Sequence, residues 1–315
     1  MKKVLVTSRS FGKTSDISLE MLKKDGWTVD YMIKDFRQEE FEKAIVDYQA
    51  LIIGAHPFPP SLFDRCPNLK IICKHGVGLD NIPLEAAKAH NVIVTNAPGT
   101  NSNAVADFTV LLMLACARNL IYSVNELKKR NFVANIGVDA YNKRLGLLGF
   151  GNIAKKVAKR AHGFDMDIYA YDPYVKCPPE ELSFVKMVSL DEILKESDFI
   201  CIHLPLTDET KGMIGAAELK KMKSSARLID TARGGLVDEK ALYEAVRDGV
   251  IAGAALDVTE SEPIEEDNPL LTLPQVIITN HVASYSKEAL DAISIMCADN
   301  VIRAFSGREV VNRVV

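Results

Sequence analysis

Gly146-Leu147-Leu148-Gly149-Phe150-Gly151-Asn152-Ile153-Ala154 is the stretch on which the reading of this chain turns. It closes a β-rich run, Arg144 to Leu148, and opens a helical pattern, so its glycines fall where a strand turns into a helix. Gly149 permits the tight turn, Gly151 leaves no side chain to obstruct a pyrophosphate, and Ala154 lets helix and strand pack closely. Asn152 and Ile153 begin the helix, whose free N–H groups and positive dipole end suit phosphate. The next strand, Met166 to Ala170, leads to Asp172, at about the 20-residue separation where a carboxylate meets the adenosine ribose. That carboxylate hydrogen-bonds the ribose hydroxyls and repels a 2′-phosphate, which predicts NAD rather than NADP.

The same alternation runs outward in both directions. Lys3 to Thr7, Ala50 to Ile53, Lys70 to Cys73 and Val92 to Thr95 read as strands. Ser15 to Lys24, Glu40 to Val46 and Pro83 to Ala89 read as the helices between them. After the turn-rich Asn96-Ala97-Pro98-Gly99-Thr100-Asn101, one long helix is predicted from Ser102 to about Lys129, capped by Ser102 or Asn101. Beyond the glycine loop, strands are expected at Phe199 to Ile202, Ala226 to Ile229, Ala252 to Leu256 and Val276 to Ile278, and a last helix over about Lys287 to Phe305. Strands alternating with helices predict parallel sheets covered on both faces. The expected fold is α/β with two Rossmann-like lobes: a doubly wound parallel sheet binding NAD, and a flavodoxin-like substrate lobe. The NAD lobe is placed at 100–286 and the substrate lobe at 1–99 with 287–315, facing each other across a crevice.

Composition narrows the function classes. The 315 residues suit two domains, and 48% hydrophobic residues allow a sizeable core. With 38 basic and 42 acidic residues the net charge is -4, which gives no reason to expect nucleic acid or an anionic membrane as partner. Met1-Lys2-Lys3 leads straight into Val4-Leu5-Val6, so no signal peptide is expected. The longest apolar run, around Val110 to Ala117, is too short to span a bilayer. The six cysteines form no CxxC pair, and most sit in apolar runs. They read as reduced core thiols of a cytoplasmic protein, with no metal site expected.

Three segments after the loop carry chemistry. Ile229-Asp230-Thr231-Ala232-Arg233-Gly234-Gly235 sets an arginine beyond a strand end. Ala255-Leu256-Asp257-Val258-Thr259-Glu260-Ser261-Glu262-Pro263 does so for a glutamate, and Thr279-Asn280-His281-Val282-Ala283-Ser284 for a histidine. The carboxyl ends of such strands are where open α/β sheets bind ligands. Alone, an arginine after a strand is usually a surface charge and a Glu-Pro usually a loop end. His56, His90 and His162 read as surface or loop residues, and His203 as a structural or crevice-wall residue.

In this order, the segments resemble the D-isomer-specific 2-hydroxyacid dehydrogenase family, which includes phosphoglycerate dehydrogenases and glyoxylate/hydroxypyruvate reductases. Lys74-His75-Gly76-Val77-Gly78-Leu79-Asp80-Asn81, Asn96 to Asn101 and Val105-Ala106-Asp107 extend the match over essentially the whole chain. The resemblance implies that His281 is the acid/base, giving a proton to the carbonyl oxygen as hydride arrives from the nicotinamide. It implies that Glu262 orients that ring and favours its protonated form, and that Arg233 grips the substrate carboxylate with its fork of donors. Val77 and Gly78 would cradle the same carboxylate through backbone N–H groups, with Lys74 and His75 beside them. On the cofactor, the resemblance places Leu204 near the adenosine, Thr231 on the nicotinamide side, Asp257 near the carboxamide and Ser284 closing that end. It also implies a homodimer packed through the long helix after Asn101.

Departures from the family pattern bear on the substrate. Asn280, Ala283 and Asp107 stand where many relatives have proline, glycine and glutamate, and none removes a reacting group. Gly54 stands where phosphoglycerate enzymes often have a phosphate-holding arginine, so Lys74, His75 and Arg9 are the residues placed to supply positive charge instead. The expected substrates are 3-phosphoglycerate/phosphohydroxypyruvate or hydroxypyruvate/glyoxylate. With no further domain after the last helix, control by serine through a C-terminal regulatory domain is not expected. The same scaffold also serves NAD-sensing corepressors related to C-terminal binding proteins, which is the alternative function.

Overall fold

A computed structural model describes residues 2–34 and 36–315; Met1, read above as leading into the first strand, lies outside the described residues. The chain divides into two compact units, Met1–Asn101 with Tyr285–Val315, and Ser102–Ser284.

The first unit carries strands β1 (Lys2–Val6), β2 (Trp27–Tyr31), β3 (Ala50–Ile53), β4 (Ile71–Lys74) and β5 (Ile93–Thr95). Helices α1 (Ile17–Lys24), α2 (Gln38–Ala44) and α3 (Leu84–Ala89) connect them. The strands pair in the order β2-β1-β3-β4-β5, all parallel, which is the flavodoxin-like doubly wound order. Successive residues of each strand face opposite cores. Leu5, Leu51, Ile53, Ile72 and Val94 line one, while Val4, Val6, Ile52, Ile71 and Cys73 line the other. β2 goes beyond the sequence reading. It is an edge strand of five residues with only Trp27 buried, so it lacks a continuous apolar run.

The second unit opens with α4 (Ser102–Ala117) and α5 (Leu120–Lys128). Its sheet holds β6 (Arg144–Leu148), β7 (Asp167–Tyr171), β8 (Val185–Met187), β9 (Phe199–Ile202), β10 (Arg227–Asp230), β11 (Gly253–Leu256) and β12 (Val276–Ile278). Helices α6 (Asn152–His162), α7 (Leu190–Glu196), α8 (Ala216–Lys221) and α9 (Glu239–Arg247) connect them. The order β12-β11-β10-β9-β6-β7-β8, all parallel, reverses direction between β6 and β9. That reversal is the topological switch point at which such sheets bind dinucleotides. α10 (Lys287–Ser306) belongs to the first unit, where Ile293, Cys297, Ala298 and Val301 fill one core.

The single helix expected from Ser102 to Lys129 is corrected to two, bent by 64°. Asn119 takes a left-handed conformation (φ 49°), and residues 118 and 119 interrupt the helix. Among the described residues no single helix is long and apolar enough to cross a membrane. The thiols divide too: Cys177 is exposed, and the other five cysteines are buried.

Candidate active site

Gly149 lies at the switch point of the larger sheet. Its φ of +89° suits a residue without Cβ, and a Cβ there would come within 2.6 Å of the His203 carbonyl oxygen. Leu204, read as an adenosine neighbour, approaches the same point from β9, and the His203 N–H donates to Leu148 O at 2.7 Å. On the other side, Asp172 accepts the Phe150 N–H at 2.8 Å and the Tyr174 N–H at 2.8 Å. Gly151 faces open space, and Asn152 and Ile153 start α6, where N–H groups lack helical partners. A cradle free of side chains, a helix N-terminus and a braced carboxylate at the next strand end fit a dinucleotide.

Arg233, Glu262 and His281 follow β10, β11 and β12, on neighbouring strand ends of this sheet. His281 Nδ1 lies 2.8 Å from Glu262 Oε2, and both side chains are half-exposed. An ionised carboxylate only accepts, so the ring donates from Nδ1 and keeps Nε2 for exchange with a ligand. The Glu262 hydrogen bond raises the His281 pKa; burial and Arg233 work against it, and the charges of Glu262 and Asp257 assist. Burial acts to raise the Glu262 carboxyl, but the His281 ring, the Thr259 N–H and the Arg233 charge outweigh it and hold it below its ordinary range. The His281 ring is thereby kept protonatable beside a cation.

Asp257, which the resemblance places near the carboxamide, gives its carboxylate to the His281 turn: Thr279 Oγ1 (2.6 Å), Val282 N (2.9 Å) and Ala283 N (2.7 Å) all donate to it. Its carbonyl accepts the His281 N–H at 2.8 Å, and the residue is 1% exposed. Thr231, read as flanking the nicotinamide, turns its hydroxyl inward. Thr109 Oγ1 donates to Val105 O, so the Thr231 hydroxyl donates to Thr109, 2.8 Å away. Ser284 lies half-buried just past the His281 turn.

In the first unit, Val77 and Gly78 are half-buried in the loop after β4, where Asn96 Nδ2 donates to Val77 O at 2.8 Å. The structure corrects His75 as a source of charge. It is buried, with Ser10 Oγ 3.2 Å from Nδ1 and Ser294 Oγ 2.9 Å from Nε2, and burial pushes its pKa down to about 4. Lys74 donates from Nζ to Gly54 O and to Asn81 Oδ1, both at 2.7 Å. The ammonium thus sits beside Gly54, where a Cβ would lie 3.2 Å from Ser8 Cα and leave little room for a larger residue. Arg9 is exposed. His56, read as a surface or loop residue, lies in the loop after β3, half-buried between Phe36 and Phe41.

Some contributors were not singled out by sequence reasoning. Gly234 packs so closely on the Glu262 loop that a Cβ would overlap the Thr259 carbonyl, 1.8 Å away. Glu239 and Glu260 exchange reciprocal hydrogen bonds, each carboxylate accepting the other's N–H, which ties the same loop to α9. The Gly-Gly after Arg233 was the available signal for the first; the second had none, because both glutamates read as solvated charges.

Sheet order and carboxylate-backed histidine together describe a dinucleotide-binding fold with a proton-exchanging pair at its strand ends, and comparison with known proteins is more specific. Residues 110–283 match the model of the NAD-binding domain of D-isomer specific 2-hydroxyacid dehydrogenases. A D-3-phosphoglycerate dehydrogenase of Archaeoglobus fulgidus is 36% identical over 303 residues, 95% of this chain and 57% of that protein. A glyoxylate reductase of Korarchaeum cryptofilum is 39% identical over 273 residues, 84% of this chain and 82% of that protein. Among crystal structures, a protein of Thermus thermophilus aligns with a TM-score of 0.93 at 35% identity, covering 99% of this chain and 100% of that one. This chain belongs to the D-isomer-specific 2-hydroxyacid dehydrogenase family, and its second unit carries the family's NAD-binding domain. It spans 57% and 52% of the length of two phosphoglycerate dehydrogenases that it matches.

Proposed function

We propose that this protein is an NAD-dependent D-2-hydroxyacid dehydrogenase, interconverting a small D-2-hydroxy acid and its 2-oxo acid. The observation that carries the reading is the 2.8 Å pair of His281 and Glu262, set beside Arg233 on adjacent strand ends of a dinucleotide-binding sheet. NAD, when bound, supplies the hydride acceptor or donor. Gly149, Gly151, Asn152, Ile153 and Asp172 hold its pyrophosphate and ribose, and Leu204, Thr231 and Ser284 line its course. Arg233 binds the substrate carboxylate, and His281 Nε2 delivers the proton to the carbonyl oxygen in reduction and removes it in oxidation. The first unit is the substrate lobe, with the Val77 and Gly78 N–H groups and the Lys74 ammonium as the groups it offers to an anionic substrate.

Phosphohydroxypyruvate, hydroxypyruvate and glyoxylate are the substrates to try first. Lys74, lying against Gly54 O, favours an anionic or hydroxylated substituent over an apolar one. The reading includes a homodimer. Leu120, Ile121, Val124, Leu127, Phe132 and Ile136 are all exposed over one continuous stretch, more apolar surface than a lone chain usually presents. It also places the protein in the cytoplasm, a compartment suited to its unpaired thiols.

Steady-state NADH oxidation with a panel of 2-oxo acids, repeated with NADPH, tests the activity. Turnover with at least one member and a preference for NADH are expected; NADH binding without turnover on any member counts against the reading. His281→Ala is expected to lower kcat by about 10²–10⁴-fold with NADH affinity retained. Undiminished turnover in that variant removes His281 from its role.

A further inference from the structure

Asp230 ends β10, three residues before Arg233, and is 1% exposed. Its Oδ1 accepts the Ala232 N–H at 2.8 Å, folding the chain back so that Arg233 leaves the strand end at a set angle. Its backbone carbonyl accepts the Asp257 N–H at 2.8 Å, and Asp257 in turn accepts from His281. Two buried carboxylates therefore stand on neighbouring strands, one holding the arginine turn and the other the histidine turn.

We propose that Asp230 is a positioning residue for Arg233: its carboxyl oxygen, closed off from water, fixes the turn from which the guanidinium is presented to the substrate carboxylate. A carboxylate makes a stronger acceptor than a neutral carboxyl or amide, so the turn is tightest when Asp230 is ionised. The titratable and charged groups that bear on Asp230 are Arg233 in its own loop, Asp257 just after β11 and Cys201 on β9. Burial lifts the Asp230 pKa to about 7; the Ala232 and Arg233 N–H groups and the Arg233 charge oppose the rise, and Asp257 adds to it. The strength of the turn therefore changes near neutral pH.

The inference rests on the proposed dehydrogenase reading, so its test has one arm that needs no turnover. In the first arm, Asp230→Ala and Asp230→Asn are assayed with NADH and the 2-oxo acid found by the panel. Asp230→Ala is expected to raise KM for the oxo acid about tenfold or more while changing kcat and NADH affinity less. Asp230→Asn, which keeps an acceptor oxygen, is expected to bring KM back to within about threefold of wild type. A KM unchanged in Asp230→Ala, or an equal loss in both variants, overturns the proposal. In the second arm, the Ala232 amide resonance is followed by NMR against pH. A midpoint near neutrality in the wild type, absent in Asp230→Asn, supports it; a flat wild-type profile overturns it. Should the panel yield no substrate, the dehydrogenase reading fails and the amide titration alone decides the part played by Asp230.

Discussion

His281 adopts a left-handed backbone conformation, with φ of 54°. For a non-glycine residue that costs about 1–3 kcal/mol and persists only where the surroundings over-determine it. Asp257 does so: its carbonyl takes the His281 N–H and its carboxylate takes Thr279, Val282 and Ala283. The ring is aimed by a strained turn, and Glu262 favours its protonated form. On the proposed mechanism reduction needs His281 protonated, so activity is expected to fall as pH rises through its raised pKa. Glu262→Gln removes the hydrogen bond and charge that raise it. The falling limb of kcat/KM is then expected to move to lower pH, with activity on that limb dropping by roughly tenfold per pH unit moved. A pH–rate profile checks this, and an unmoved limb would separate Glu262 from the proton chemistry. Arg233, Glu262 and His281 stood out in the sequence because each follows an apolar run by a few residues and the three segments in that order resemble a known family. The work of Asp230 and Asp257 was not, since it depends on which N–H groups gather around a buried carboxylate, and that is decided by neighbouring strands.

At the scale of elements, legibility followed burial. Strands that run through the sheet interior, such as Phe199–Ile202 and Ala50–Ile53, are buried at every position and stand out as apolar runs. The edge strands β2 and β8 have few buried residues and carry no such signal. The bend between α4 and α5 was hidden for a different reason. Its apolar residues continue through Asn119, but α5 has no buried residue, so the second half of the pattern faces outward. A surface of this kind asks for a partner. Leu127 is 62% exposed and Leu120 47%. Leu127→Asp combined with Leu120→Asp is expected to shift a homodimer toward monomer by at least about tenfold in dissociation constant, through charge buried at an apolar interface. Sedimentation velocity over a dilution series reads the change; a wild type that is monomeric throughout would remove the homodimer from the proposal.

For the molecule as a whole, the buried ring systems set its response to acid. His75 and His203 are each held at about 4 by burial, and the His203 ring nitrogens have no hydrogen-bond partner among the described residues. Both folded-state values lie below the unfolded value of about 6.5, so the stability at stake is fully present above that pH and is lost as pH falls toward 4. The difference amounts to ~3 kcal/mol per histidine. Asp230 works in the opposite sense. Its pKa is raised to about 7, so its contribution is present at low pH and is lost as pH rises toward 7. Urea midpoints are therefore expected to fall between about pH 7 and 5, and to fall more steeply in Asp230→Asn. A midpoint constant over that range would contradict the neutral, buried state of these rings.

The discontinuous make-up of the first unit has a consequence for how the protein is made. One core of its sheet is completed by α10, which is translated only after all of Ser102–Ser284. The second unit is contiguous and can condense while the chain is still emerging from the ribosome. The earlier-synthesised strands must wait, with Val4, Val6, Ile52, Ile71 and Cys73 uncovered, until the final segment arrives. During that interval the nascent chain presents an apolar sheet face for chaperones to shield. The nucleotide site can thus be formed before the lobe proposed to bring it substrate has closed its own core.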